Sequence, residues 1–236
     1  MKEFERFGDL SEERVRAFAE RLNPVEWETL VNFFEGKGRK LPGITEDESF
    51  HWEILRHFHE IETSFNNLQY IPLFINSYRS SKDYRKARIT GIVYLNYHID
   101  HYLEENYILL NRVKKFLVRL SRMLKKRGRV RESAIVSELK DIFVNSMSDL
   151  KIVRGDHVHE KRHQDRDLFM AELAKVNYTE THDRKFMIGS NLFYKSAKEK
   201  WNERIIKNNR DLKKLLDHTF GRLIPIVFTS KTDTTE

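Results

Sequence analysis

The sequence predicts an all-α fold, an antiparallel helical bundle with an N-terminal helical extension, on three observations. Apolar residues recur at steps of three, four and seven over long stretches, the period of one helix face. Capping signals such as Thr45 with Glu48, Asn23-Pro24 and Gly128 stand where those stretches start or stop. The connections between the longest stretches are short, which favours antiparallel neighbours. Hydrophobic residues make up 39% of the 236 and charged residues 33%, a balance that suits helices with wide solvated faces.

Taken in order, Asp9 or Ser11 is placed to cap a first helix carrying Val15, Phe18, Ala19 and Leu22. Asn23-Pro24 reads as a cap and first-turn proline for a second helix with Trp27, Leu30, Val31 and Phe34. The run from Gly36 to Gly43 is a linker. Thr45 and Glu48 form a capping box that opens a helix through Trp52 and Leu55 to Leu68, and Pro72 with the polar run 77–83 closes it. From Tyr84 to about Arg127 a single long helix is expected, with Ile92, Leu95, Ile99, Leu103, Leu110, Val113, Leu117, Leu120 and Leu124 on one stripe and Gly128 at its end. The next runs from about Arg131 to Val153 on Ile135, Leu139, Ile142, Phe143, Met147 and Leu150, with Gly155 as its cap. A polar stretch leads to a helix through Leu168 and Leu173, and a last helix spans about 191–220 before a short apolar tail. The division that follows is an extension over 1–80, a helical domain over 81–228 and a disordered tail over 229–236.

The bounds on function are broad. Net charge is +7 with a pI near 9.4, which points to an anionic partner. There is no cysteine, so disulfides and thiolate metal sites are excluded. The start lacks the apolar core of a signal peptide, and the longest apolar stretch near the end, 223–228, contains Pro225. No membrane span and a cytoplasmic location are therefore expected.

The densest chemistry is the run from Val153 to His163, where two motifs overlap. One is Arg-x4-His, Arg154 to His159. The other is His-Glu-x-x-His, His159-Glu160 to His163. RNA carries its own nucleophile, the 2′-OH, so its cleavage needs a proton carrier and a cation for the phosphate. An imidazole, with a pKa of about 6.5, serves the first and a forked guanidinium the second. The Arg-x4-His at the end of an amphipathic helix, preceded by another long helix, resembles the HEPN superfamily (higher eukaryotes and prokaryotes nucleotide-binding). Val-Arg followed three residues later by Val-His-Glu is similar to the form in many bacterial members, and the resemblance covers roughly residues 84–220. It implies an endoribonuclease needing no metal or other cofactor, with Arg154 on the scissile phosphate and His159 moving the proton, in a cleft shared by a homodimer. It also implies a toxin or defence role with an antitoxin or other protein partner. Members usually carry a polar residue after the Arg, where this chain has Gly155, so Asp156 or His157 is the candidate for that role. Some members bring a polar residue from the preceding helix towards the pair, and Glu104 is the candidate here. Gly155 equally fits a catalytically silent HEPN module that binds nucleotide, RNA or a protein.

The His-Glu-x-x-His alternative is a zinc metalloprotease, with two histidine ligands and Glu160 as general base. Lys161 and Arg162 between the ligands oppose a dication, and Glu180, His182 and Asp183 are the candidates for a third ligand. His98 and His101 lie three apart on the long helix, where a histidine more often packs than binds metal.

From Arg112 to Arg131 there are ten Lys or Arg and no Asp or Glu. Arg112, Lys115, Arg119, Arg122 and Lys126 step by three or four and share a helix face, opposite Val113, Leu117, Leu120 and Leu124. Such a ridge is the electrostatic footprint of RNA binding. Tyr102 and Tyr107 offer stacking surfaces, although aromatic residues at helical spacing are more often core.

Overall fold

The computed structural model describes residues 2–23, 25–26, 44–147 and 165–228. Every element among them is helical: α1 (Lys2–Ala19), α2 (Glu46–Ser77), α3 (Lys82–Lys86), α4 (Gly91–Lys126), α5 (Val130–Ser146), α6 (Arg166–Thr181) and α7 (Arg184–Phe228). The all-α bundle expected from periodicity is what the chain forms. None of these helices is long and apolar enough to cross a membrane.

α1 starts earlier than expected. Ser11 lies inside the helix, its hydroxyl bonded to the Phe7 carbonyl at 2.8 Å. The cap comes from far along the chain: Asp217 accepts the N–H groups of Glu3 and Phe4 at 3.2 and 3.0 Å. Gly8 lacks a side chain for a reason of packing, since a Cβ there would stand 2.6 Å from the Phe58 ring. A glycine that reads as a helix breaker is here a point of close approach.

Asn23 does cap the next turn. Its side-chain oxygen accepts from Val25 and Glu26, and Glu26 returns a bond to the Asn23 N–H at 2.9 Å. The rest of that expected helix, with Trp27, Leu30, Val31 and Phe34, lies outside the described residues. Thr45 and Glu48 make the reciprocal capping box at the start of α2. α2 then runs through Pro72 to Ser77, because Ile71 and Ile75 keep the buried stripe going. α7 likewise continues through Pro225 on buried Leu223, Ile226 and Val227. In both places burial outweighs the hydrogen bond that proline forgoes.

The expected helix from Tyr84 is broken. α3 is capped by Ser81, and Arg88 then adopts a left-handed φ of 57°. The Ile89 N–H turns back to the Tyr84 carbonyl at 2.8 Å before Thr90 opens α4. Gly128, with φ 73°, ends the turn after α4 as expected.

The described residues fall into two compact units. The first draws on Met1–Glu62, Arg112–Phe143 and Lys213–Glu236, the second on Thr63–Asn111 and Val144–Leu212. In the first, α2 and α4 run antiparallel, as the pairs Arg112–Glu60, Arg119–Glu53 and Arg127–Asp47 show. α5 folds back on α4, with Ser121 bonded to Ser133 and Ser137. The core is a cluster of phenylalanines: Phe7 contacts Phe58, Phe116, Phe220 and Phe228, with ring centroids 4.9–6.2 Å apart. In the second unit α2 and α7 are antiparallel, through Leu68–Asn209 and Asn76–Asn202. α6 lies antiparallel to α7, through Asp165–Trp201 and Ala171–Ser190.

Candidate nucleic-acid interface

The ridge on α4 exists, and its members differ. The side chains that point towards α2 are engaged. The Arg112 guanidinium donates to the Glu60 carbonyl at 2.7 Å, and Arg119 sits 3.5 Å from the Glu53 carboxylate. Arg127 bonds Asp47 at 2.7 Å and covers the Phe50 ring at 4.2 Å. Its hydrogen bond is the main cause holding the Asp47 carboxyl below the usual carboxylate range, partly opposed by burial. Within 112–131 no acid compensates the ridge, but α2 supplies Glu53 and Asp47 from another part of the chain. Lys115, Arg122 and Lys126, with Lys114 and Lys125 beside them, are the exposed ridge cations with no acid partner among the described residues.

The residues singled out for chemistry at 154–163 are not reached. Arg154, Gly155, Asp156, His157, His159, Glu160 and His163 lie outside the described residues. Glu104 is exposed on α4, whereas its neighbour Glu105 is buried in the second unit. Glu105 falls in the same stripe as Ile99, Tyr102 and Asn106, and that register is the signal that would have found it. Tyr102 is core, its phenol pushed up by burial, and Asn106 donates to its carbonyl at 2.8 Å. Tyr107 is half-buried.

His98 packs among aromatic rings. It stacks on Phe74 at 5.5 Å and meets Tyr94 edge-on at 4.4 Å. Burial first, and His101 second, lower its pKa. Among the proposed third zinc ligands, His182 is the left-handed cap of α6, and Asp183 bonds Lys185 at 2.8 Å while Glu180 is exposed. Among the described residues no group of three or more His, Asp or Glu is placed to hold a metal.

The acids that follow the candidate motif are structural. Asp165 caps α6 through one oxygen and accepts the Trp201 indole N–H at 2.9 Å through the other. Asp167 takes Lys200 at 2.6 Å and Ser196 at 2.9 Å, and these two bonds, the Lys200 one first, lower its pKa. Both carboxylates therefore fix α6 to α7 just beyond residue 164. Compared with family models, with curated proteins and with solved structures, the chain matches none.

Proposed function

We propose that the chain is a HEPN-type endoribonuclease that works without a metal. The observation that carries this reading is the Arg154-x4-His159 pair in Val-Arg-x3-Val-His-Glu context. The cations Lys115, Arg122 and Lys126, without an acid partner among the described residues, support an RNA substrate. In the proposed reaction His159 takes the proton of the 2′-OH, whose oxygen attacks the adjacent phosphorus. The P–O5′ bond breaks, the 5′ oxygen leaves with a proton, and a 2′,3′-cyclic phosphate remains. Arg154 balances the added charge on the phosphate. A base on one side and an acid on the other are both required, so two motifs related by a two-fold axis in a homodimer suit the chemistry. Exposed Phe169, Leu173 and Val176 at i, i+4 and i+7 on α6 give a second copy apolar surface to cover.

Incubation with RNA in the presence and absence of EDTA tests the reading. Cleavage should be insensitive to EDTA, lost in Arg154→Ala and in His159→Ala at unchanged helicity, and little altered in His163→Ala. Retained RNA binding without cleavage would make the chain a silent module, the reading Gly155 favours. Equal losses from Glu160→Ala and His163→Ala with zinc in the protein would replace it with metalloprotease. Light scattering at micromolar concentration should show a dimer.

A further inference from the structure

The stretch that joins α2 to α4 in the second unit carries Arg79, Lys82, Arg85, Lys86 and Arg88 against one acid, Asp83. All five cations are exposed, and none has an ion-pair partner among the described residues. A solvated face ordinarily mixes both signs. The stretch is held in shape, since Tyr78 donates its phenol proton to the Ile89 carbonyl at 3.0 Å and so closes the loop on itself. Arg88 stands at a left-handed position that favours glycine, φ 57°, where the chain presents a cation instead.

A track of rings leads away from these cations. Tyr84 stacks on Tyr78 at 5.9 Å, Tyr78 meets Tyr94 at 5.0 Å, and Tyr94 meets His98 at 4.4 Å. Tyr97 lies 5.3 Å from His98 and stacks on His101 at 6.3 Å. The track is not sealed like a core: Tyr97 is 66% exposed, and Phe74, stacked on His98, is 45% exposed.

We propose that the 79–88 cations and the Tyr97–Phe74 surface bind single-stranded nucleic acid, cations on phosphates and rings on bases. Unpaired cations beside open aromatic faces are what a single strand engages, because it offers regularly spaced phosphates and unstacked bases together. A duplex offers the phosphates and hides the base faces. The surface belongs to the second unit, apart in sequence from the α4 ridge of the first, and it binds whether or not Arg154 and His159 cleave.

The test uses the full chain with Lys115, Arg122 and Lys126 changed to Ala, so that the ridge does not mask this surface. The probe is fluorescein-labelled oligodeoxythymidine of about 20 nucleotides, within the reach of a few such sites. It has no 2′-OH and is never a substrate for the proposed cleavage. Lys82→Ala, Arg85→Ala and Lys86→Ala together should weaken binding at least tenfold and lower the log–log salt slope by about 0.7 per lost contact. Tyr97→Ala, and Tyr97→Leu as a replacement that keeps the apolar area, should weaken it about fivefold or more. Neither Tyr97 change should alter binding of an abasic strand of the same length, which the parent chain should hold less tightly. Unchanged affinity in the cation variant overturns the proposal, as does equal binding of the abasic strand by the parent. Preference for phosphatidylserine vesicles over the oligonucleotide overturns it in favour of a membrane surface.

Discussion

In the first unit the interior is a stack of phenylalanines, Phe4, Phe7, Phe58, Phe116 and Phe220, all essentially inaccessible to solvent. Of its buried polar side chains, Ser11 and Thr219 bond carbonyls of their own helix turns, Ser133 meets Ser121, and His51 stacks on Phe228. The second unit shares helices α2, α4 and α7 with the first but buries His98, Glu105, Asn106 and Asn209. It also leaves Tyr70, Leu73, Phe74, Tyr97, Phe169, Leu173, Val176, Ile188 and Leu192 exposed. A domain that only had to be stable would do the reverse on both counts, since buried polar groups cost free energy and exposed apolar patches invite association. The contrast is one of degree: the second unit carries more of the exposed apolar side chains and the buried Glu105, whereas the first rests on a denser aromatic core.

Phe7→Ala is the strongest way to break that contrast. It removes four ring contacts at a fully buried site and should cost about 3–5 kcal/mol in urea unfolding. Tyr97→Ala in the second unit, at an exposed ring, should stay within about 0.5 kcal/mol. Equal losses at the two sites would erase the distinction.

A smaller effect compares two turns of the same hand. Gly128→Ala forces a side chain into φ 73° where no neighbouring atom obstructs it, so the cost is purely conformational, about 1 kcal/mol. Arg88→Gly, at φ 57°, should raise stability by a similar amount, about 1 kcal/mol. If Arg88→Gly also weakens oligonucleotide binding, stability and recognition are opposed at one residue of the second unit.

The extent to which these features are legible in the sequence follows their range along the chain. Thr45 with Glu48, Asn23 with Glu26, and Gly128 are local devices whose partners sit within three or four residues. The start of α1 is illegible because its cap is Asp217, and Gly8 looks like a breaker until Phe58 is seen against it. The α4 ridge is legible as a run of cations. Its partial neutralisation is not, because Glu53 and Asp47 belong to α2. The aromatic track over 74–101 is not legible because its rings come from α2, the connector and α4 together.

Acidification gives the smallest and most discriminating effect. His51 and His57 in the first unit and His98 in the second are all held below the usual histidine pKa, chiefly by burial. Each takes a proton more readily when unfolded. Their contribution is therefore full above a pH of about 6.5 and is lost as pH falls from there through the lowered folded value. Amide protection, corrected for the slower intrinsic exchange at lower pH, should fall in both units between about pH 7 and pH 5.5. In His98→Phe, a ring that fits between Phe74 and Tyr94, only the second unit should lose this sensitivity. A loss in both units would show that they respond as one.

The bond between Asp217 and the backbone of Glu3 closes a separation of 214 residues. On the ribosome, α1 emerges more than two hundred residues before the carboxylate that caps it and before Phe220, against which Phe4 and Phe7 pack. At roughly 5–20 residues per second that interval is on the order of ten to forty seconds. Throughout it, Phe4 and Phe7 have at most Phe58 and Phe116 to pack on and lack the rest of the cover they end with. α1 is therefore completed only after α7 has been made.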